Sequence, residues 1–200
     1  MKSLTKLVYL TIGLIAFTAC KTKQAITDNA EMNIRKSSEE TYNIISALAS
    51  DEYAGREPGT DGYAKSAAYV EVFLAQNNIQ PLFNNSYKDT VMVEGDLSYN
   101  IVGIIGDYDP GKGHVLLGAH LDHLGKRESG DDKVYNGADD NASGVTAVMK
   151  IAKALKKNRF DKNIIVALFT GEEKGLIGSK HLAKRIKKEG ISLTYMLNFE

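Results

Sequence analysis

The second half of the chain alternates short apolar runs with stretches of helical periodicity, and this alternation restricts the fold more than any other feature. The most apolar run, residues 163–169, predicts a buried strand, and the runs at 114–119 and 191–199 predict two more strands. Residues 141–157 and 174–188 lie between these runs and predict helices. This order favours a three-layer α/β fold, with a mostly parallel or mixed central sheet and helices on both faces.

The preceding part of the chain predicts further elements of the same domain. Ser37 has Glu40 three residues later, which is the pattern of a capping box and predicts the start of a helix. Residues 61–77 predict a second helix, and residues 87–93 and 100–105 predict strands. The apolar stripe of that second helix is formed by Tyr63, Ala67, Val70 and Leu74.

The N-terminus has the features of an export signal. Lysines near the start precede an apolar stretch, residues 7–19, which is shorter than the about 20 residues that cross a membrane. This stretch ends at Cys20, as in bacterial lipoproteins, so we expect residues 1–19 to be a lipoprotein signal peptide. A plain signal peptide that leaves a free thiol is the alternative. Residues 20–36 are polar and predict a flexible tether to a domain at 37–200.

Charge and cysteine content exclude several classes of function. The chain has 25 basic and 25 acidic residues, so no net field attracts nucleic acid or anionic lipid. Cys20 is the only cysteine, which excludes an intrachain disulfide and a cysteine-based zinc site. We therefore expect no nucleic-acid partner, contact with a membrane only through a lipid anchor, and a location in the cell envelope.

Acidic residues and one histidine follow the predicted strands, where ligands bind in open α/β sheets. Three strand ends and one helix start carry them: His120, Asp122, Asp139, Asp140, Glu172, Glu173 and Glu200. Each short motif alone also fits a solvated strand end or the acidic first turn of a helix. Together they would repel strongly unless a cation lay among them. A histidine with several carboxylates suits zinc, with manganese or cobalt as alternatives.

Four segments resemble the co-catalytic zinc aminopeptidases, the family of bacterial leucyl aminopeptidases, aminopeptidase Y, glutamate carboxypeptidase II and glutaminyl cyclase. The segments are Gly-Ala-His-Leu-Asp at 118–122, Asn-Gly-Ala-Asp-Asp-Asn-Ala-Ser-Gly at 136–144, Thr-Gly-Glu-Glu-Lys-Gly-Leu-Ile-Gly-Ser at 170–179, and Asn-Phe-Glu at 198–200. Residues 54–60, Ala-Gly-Arg-Glu-Pro-Gly-Thr, also resemble a loop of that family.

The resemblance implies a role for each site residue. His120 and Glu200 would bind one zinc ion, Glu173 the other, and Asp140 would bridge the two. Glu172 would be the general base, and Asp122 would orient His120. Asp139, next to the bridging residue, would not be a ligand.

The resemblance also implies that the second zinc ion takes one more histidine, from further along the chain. We therefore expect the domain and its sheet to be incomplete at the C-terminus, with weak metal binding and poor activity in the chain as it stands. His123 is close to the site and is the alternative source of that ligand. His114 begins a strand and His181 lies among lysines, so neither is expected at the site.

The implied activity is removal of N-terminal residues from peptides by a metal-activated water, with Glu172 moving the proton. Two zinc ions, three ligand carboxylates, a hydroxide and ionised Glu172 sum to a charge of −1, which suits a substrate with a free α-ammonium group. The alternatives are a single-zinc enzyme like glutaminyl cyclase, and an inactive peptidase-like binding module. The chain has neither a His-Glu-x-x-His nor a Gly-x-Ser-x-Gly motif.

Overall fold

A computed structural model describes residues 29–156 and 160–200. The chain divides into two compact units, residues 1–43 and 44–200. The expected signal peptide, with Cys20, lies outside the described residues. Within residues 29–156 and 160–200, no helix is both long and apolar enough to cross a membrane.

The first helix, α1, covers residues 29–48, so the prediction that a helix begins at Ser37 is wrong. Residues 29–36, which we assigned to the flexible tether, are helical as well. They contain Ala, Glu, Met, Arg and Lys and no Gly or Pro, so good helix formers continue the helix toward the N-terminus. Thr41, one turn after Ser37, donates its hydroxyl to the Ser37 carbonyl at 2.8 Å, a bond that lies within the helix.

The other elements lie close to the predicted ones. The later helices are α2 (Asp61–Gln76), α3 (Ser143–Leu155) and α4 (Ile177–Lys188). The strands are β1 (Gln80–Pro81), β2 (Lys88–Val93), β3 (Asp96–Ile105), β4 (His114–His120), β5 (Asn163–Phe169) and β6 (Leu193–Asn198). A 3-10 turn (Asp51–Arg56) precedes α2, and an irregular turn (Ala138–Ala142) precedes α3.

The strands form one mixed sheet in the order β1-β3-β5-β4-β6, with β2 also paired to β3. β4 runs parallel to both β5 and β6, whereas β3 runs antiparallel to β5. β2 and β3 form a hairpin whose two turn residues, Glu94 and Gly95, both have positive φ, as a two-residue hairpin loop requires.

Two apolar clusters pack on opposite faces of the sheet, which confirms the three-layer α/β fold. The larger cluster includes the end of α1, α2 and α3, and the predicted α2 stripe is fully buried within it. The smaller cluster packs Leu182 and Ile186 of α4 on the other face. β6 lies at one edge of the described sheet, and all six of its residues are exposed.

The connections around β4 place the site. The chain leaves β4, crosses one face through α3 to β5, and returns across the other face through α4 to β6. The connections that leave the neighbouring strands β4 and β5 therefore go to opposite faces of the sheet, which opens a crevice at their carboxyl ends, where ligands bind in open α/β sheets. The carboxyl ends of all three strands meet at this crevice.

Candidate metal centre

His120 is the last residue of β4, and its ring is almost completely buried, with 2% of its surface exposed. Its Nδ1 lies 3.0 Å from the main-chain carbonyl oxygen of Asp122, a bond that fixes the ring when Nδ1 carries the proton. Its Nε2 is buried and makes no hydrogen bond of suitable geometry with any residue in 29–156 or 160–200. A buried imidazole nitrogen without a partner, aimed at carboxylates, has the chemistry of a metal ligand.

The carboxylates around this nitrogen are spaced as zinc ligands are. Asp140 Oδ1 lies 3.0 Å and Glu200 Oε1 lies 3.6 Å from His120 Nε2. Ligand atoms 2.0–2.2 Å from one tetrahedral zinc ion lie about 3.3 Å from each other. The two distances fall on either side of this value, so Asp140 and Glu200 each lie at a ligand spacing from His120.

A second histidine faces the other oxygen of Asp140. His123 Nδ1 lies 3.7 Å from Asp140 Oδ2 and 2.7 Å from Glu173 Oε1. One carboxylate thus presents each of its oxygens to a different imidazole. This is the arrangement that a bridging ligand between two ions needs, and it agrees with the role implied for Asp140 by the sequence.

Sequence reasoning treated His123 only as an alternative, yet the structure places this residue in the centre. His123, Asp140 and Glu173 form a set whose donor atoms lie within 4.8 Å of one another. The separation of 2.7 Å between His123 and Glu173 is a hydrogen-bond distance, so His123 holds the Glu173 carboxylate. The only indication in the sequence was that His123 follows His120 by three residues. Strand alternation ends with β4, so it does not predict which way the His123 side chain points.

Asp122 contacts the His120 ring through its main-chain carbonyl and uses its carboxylate elsewhere. The nearest carboxylate oxygen of Asp122 is 3.7 Å from His120 Nδ1, too far for a hydrogen bond, and only the main-chain carbonyl reaches the ring. The fully buried carboxylate instead accepts the main-chain N–H groups of Glu172, at 3.2 Å, and Glu173, at 3.4 Å. Because β4 and β5 are paired neighbours, the residues that follow them meet, and Asp122 fixes the Glu pair.

Glu172 lies close to His120 and Glu200, and the donor atoms of the three residues are within 4.8 Å of one another. Burial raises the pKa of the Glu172 carboxyl, and the carboxylates of Glu200, Glu173 and Asp122 raise it further, while His120 opposes them. A carboxyl with a raised pKa holds and releases a proton at a pH closer to neutrality. Glu172 is therefore suited to proton transfer beside the ligands.

The electrostatics of the site favour a cation. Burial lowers the pKa of His120, but Asp122, Asp140 and Glu172 outweigh this effect and raise the pKa to about 9. The carboxylates thus hold positive charge on the ring, and a bound metal ion can take the place of that proton. The sequence predicts a cation here for a related reason, namely that these carboxylates would otherwise repel one another.

A cavity of about 260 Å³ opens beside these residues. Its walls include the polar site residues His120, Glu172 and Glu200 and a group of apolar side chains. The apolar group consists of Phe169, Leu176 and Met196. A molecule in this cavity would meet charged and apolar surface together.

The other two histidines lie away from the centre, as expected from their positions. His114 contacts the Ser192 carbonyl and Asn163 at the opposite end of β4. His181 on α4 lies 3.4 Å from the buried carboxylate of Asp89.

Comparison with known proteins identifies the family. Residues 100–200, half of the chain, match peptidase family M28. The chain belongs to peptidase family M28. The match includes His120, His123, Asp140, the Glu pair and Glu200.

Relatives of this M28 chain include a probable zinc metalloprotease of Pyrenophora tritici-repentis, which is 34% identical over 93 residues. That match covers 46% of the M28 chain and 19% of the relative. The LapA aminopeptidase of Legionella pneumophila has a similar fold, with a TM-score of 0.66 and 23% identity over 80% of this chain and 42% of LapA. A glutaminyl cyclase of Porphyromonas gingivalis has a TM-score of 0.64 and 19% identity over 80% of this chain and 59% of the cyclase. The M28 chain thus spans about a fifth of the length of the Pyrenophora relative.

Asp140 and Asp139 provide a matched test of the bridging position. Loss of a residue that only hydrogen-bonds to a metal ligand weakens metal affinity by about 10–100-fold. We expect Asp140→Asn to weaken zinc affinity by more than this, because Asp140 faces both imidazoles. Asp139→Asn should leave zinc binding unchanged. The measurement is zinc per chain by atomic absorption, with affinity from competition against a chromophoric chelator. Equal losses in the two variants would contradict the assignment.

Proposed function

We propose that this M28 protein is a zinc-dependent aminopeptidase that hydrolyses the N-terminal residue of peptides. The observation that carries the proposal is the Asp140 carboxylate, whose two oxygens face the two imidazoles of His120 and His123. A two-ion site with a nearby carboxyl of raised pKa is suited to hydrolysis. Family membership and the zinc metalloprotease relative support the same reaction class.

The proposed ligands divide into two sets. His120, Asp140 and Glu200 would hold one zinc ion, and Asp140 and Glu173 would hold the other, with His123 hydrogen-bonded to Glu173. Bound zinc supplies polarisation of the scissile carbonyl and a lowered pKa for water. The buried Asp122 carboxylate keeps the Glu pair in place through two main-chain N–H groups.

In this proposal Glu172 takes a proton from the attacking water and returns it to the leaving amine. Its carboxyl lies in the cavity beside His120 and Glu200, and its raised pKa suits both steps. Glu172 is also close enough to those two residues to be a ligand by distance alone. The distinction between base and ligand therefore requires a measurement of metal content.

The surroundings also favour a substrate with a free N-terminus. The excess of carboxylates at the site attracts an α-ammonium group, and a blocked N-terminus lacks that charge. Phe169, Leu176 and Met196 present apolar surface in the same cavity. We propose that this surface receives an apolar N-terminal side chain.

The test uses leucyl p-nitroanilide as substrate, with N-acetyl-leucyl p-nitroanilide as its blocked control. We expect zinc-dependent release of nitroaniline from the free amine and little from the blocked compound. A peptide with N-terminal glutamine tests the alternative, because a glutaminyl cyclase releases ammonia without cutting a peptide bond. Cyclisation in the absence of hydrolysis would reject the aminopeptidase proposal.

The paired glutamates test the assignment of base and ligand. Glu172→Gln should retain zinc and lower kcat by about 10²–10⁴-fold, because it removes the proton acceptor. Glu173→Gln should lower the zinc content of the protein. The two substitutions are chemically identical and adjacent, so each is the control of the other. The reverse pattern would exchange the two roles.

We further propose that the protein is a lipoprotein of the cell envelope, anchored through Cys20. Support comes from the short apolar stretch at residues 7–19, which ends at the only cysteine of the chain. Cys20→Ser should move the protein from the membrane to the soluble envelope fraction. Fractionation followed by immunoblotting measures this, and an unchanged membrane fraction would reject the anchor.

A further inference from the structure

Arg56 is a buried cation whose hydrogen bonds all go to main-chain oxygens. Only 1% of its surface is exposed. Across residues 29–156 and 160–200, its guanidinium donates to five carbonyl groups and to no carboxylate. The acceptors and distances are Leu121 at 2.9 Å, Leu48 at 2.6 Å, Asn136 at 2.8 Å, Gly137 at 2.9 Å and Asp140 at 3.5 Å. A guanidinium has five N–H donors, so this environment matches its full capacity.

Four of the five carbonyls belong to the segments that carry the proposed ligands, and the fifth, that of Leu48, lies at the end of α1. Leu121 directly follows His120, and its carbonyl receives Nε of Arg56. The turn at 136–140 ends with Asp140 and supplies three acceptors to the two terminal nitrogens. A single planar group thus ties the end of β4 to the turn before α3. The relative position of His120 and Asp140 depends on both attachments.

The main chain around Arg56 is shaped to deliver this side chain. Ala54, Gly55 and Arg56 all have positive φ, a conformation that side chains other than Gly rarely adopt. Gly55 packs so closely that an added Cβ would lie 2.0 Å from the Gly125 carbonyl oxygen. The Arg56 carbonyl accepts the N–H of His123 at 3.2 Å. Strained backbone of this kind persists where the surrounding structure requires it.

Gly137 shows how tightly the guanidinium fits against the turn. A Cβ on Gly137 would lie 2.6 Å from Arg56 Nη2 and 2.6 Å from His123 Cδ2. The turn therefore passes between the guanidinium and the second imidazole without room for a side chain. Both histidines of the centre are linked to Arg56 through the main chain, His120 by way of the Leu121 carbonyl and His123 through its own N–H.

Arg56 keeps its positive charge although burial removes the side chain from water. Burial lowers the pKa of Arg56 to about 10, against the opposing effects of Asp122 and Asp140, so the group stays charged at neutral pH. A buried charge without a paired carboxylate is a poor source of stability, since an apolar residue avoids its desolvation. Lysine has only three donors and no planar fork, so it does not reproduce these bonds.

We propose that Arg56 is a positioning residue that sets the spacing of His120 and Asp140 and thereby the zinc affinity of the centre. The proposal rests on the zinc site of the proposed function but not on its substrate. Arg56 touches no ligand side chain through a hydrogen bond and acts through the main chain that carries His120 and Asp140.

The experiment compares Arg56→Lys and Arg56→Met with Arg185→Lys and Arg185→Met in the full chain. Arg185 is a suitable control, because it lies on α4, bonds Asp89 at 2.6 Å and stacks on Phe83, away from the centre. Zinc affinity is measured by competition with a chromophoric chelator. Thermal unfolding of the zinc-free proteins is recorded separately.

We expect both Arg56 variants to bind zinc about 10–100-fold more weakly, as for the loss of other groups that orient ligands. The lysine variant should not restore affinity, and the Arg185 variants should keep it. Cobalt(II) in place of zinc gives a second readout, because its visible spectrum reports the coordination geometry. Altered cobalt bands in the Arg56 variants alone support a positioning role.

Three results would overturn the proposal. One is an Arg56→Lys variant with unchanged zinc affinity. Another is a loss of thermal stability in both Arg56 variants with unchanged affinity and cobalt spectrum, which assigns Arg56 to packing alone. The third is failure of Arg56→Lys to fold even in excess zinc. If the unchanged protein binds zinc but hydrolyses no aminoacyl substrate, the aminopeptidase proposal fails while the role of Arg56 stands.

Discussion

The parallel pairing of β4 with strands on both sides is the constraint on which the rest of this structure depends. A parallel neighbour cannot be reached by a tight turn, so each connection must carry a helix across a face of the sheet. With neighbours on both sides, α3 and α4 cover opposite faces. The connections that leave β4 and β5 therefore go to opposite faces of the sheet. His120, the last residue of β4, lies where they separate. The location of the centre is thus a consequence of strand order.

The centre combines a rigid imidazole with more accessible carboxylates. His120 is buried in the protein, whereas Asp140 and Glu200 have side chains that are 55% and 64% exposed. Repulsion among the acidic groups is offset from two directions. The Asp122 carboxylate is stabilised by hydrogen bonds from two main-chain N–H groups. Arg56 places its positive charge against the main-chain carbonyls of the turn that ends at Asp140. The protein stabilises its acidic cluster with dipoles and one buried cation, and the open side faces solvent.

Those parts of the structure that depend on local patterns could be predicted from the sequence. The apolar run of β5 and the stripe of α2 both proved to be buried, because periodicity reports burial directly. The approach of His120, Asp140 and Glu200 followed from the rule that parallel strands end at one edge. The roles assigned to the site residues by resemblance agree with this placement and stay predictions.

The features that could not be predicted depend on side-chain direction or on distant partners. His123 lies past the end of β4, where alternation no longer fixes which way a side chain points. The carboxylate of Asp122 accepts main-chain N–H groups of Glu172 and Glu173, partners that nothing in the local sequence indicates. Ser37 resembled a helix start, but the residues before it favour helix equally well. The Ser37 error, by contrast, is local, because the helix formers at residues 29–36 directly precede it.

The bonds of Arg56 have a consequence for how the chain matures. Its acceptors lie 65 to 84 residues further along, apart from Leu48, which lies 8 residues before it. A chain emerging from the ribosome therefore exposes the arginine long before residues 121 and 136–140 exist. Until those segments exist, the charged side chain of Arg56 has no buried site and remains solvated. The hydrogen bonds that surround Arg56 can therefore be completed only after the segments that carry the proposed ligands have been made.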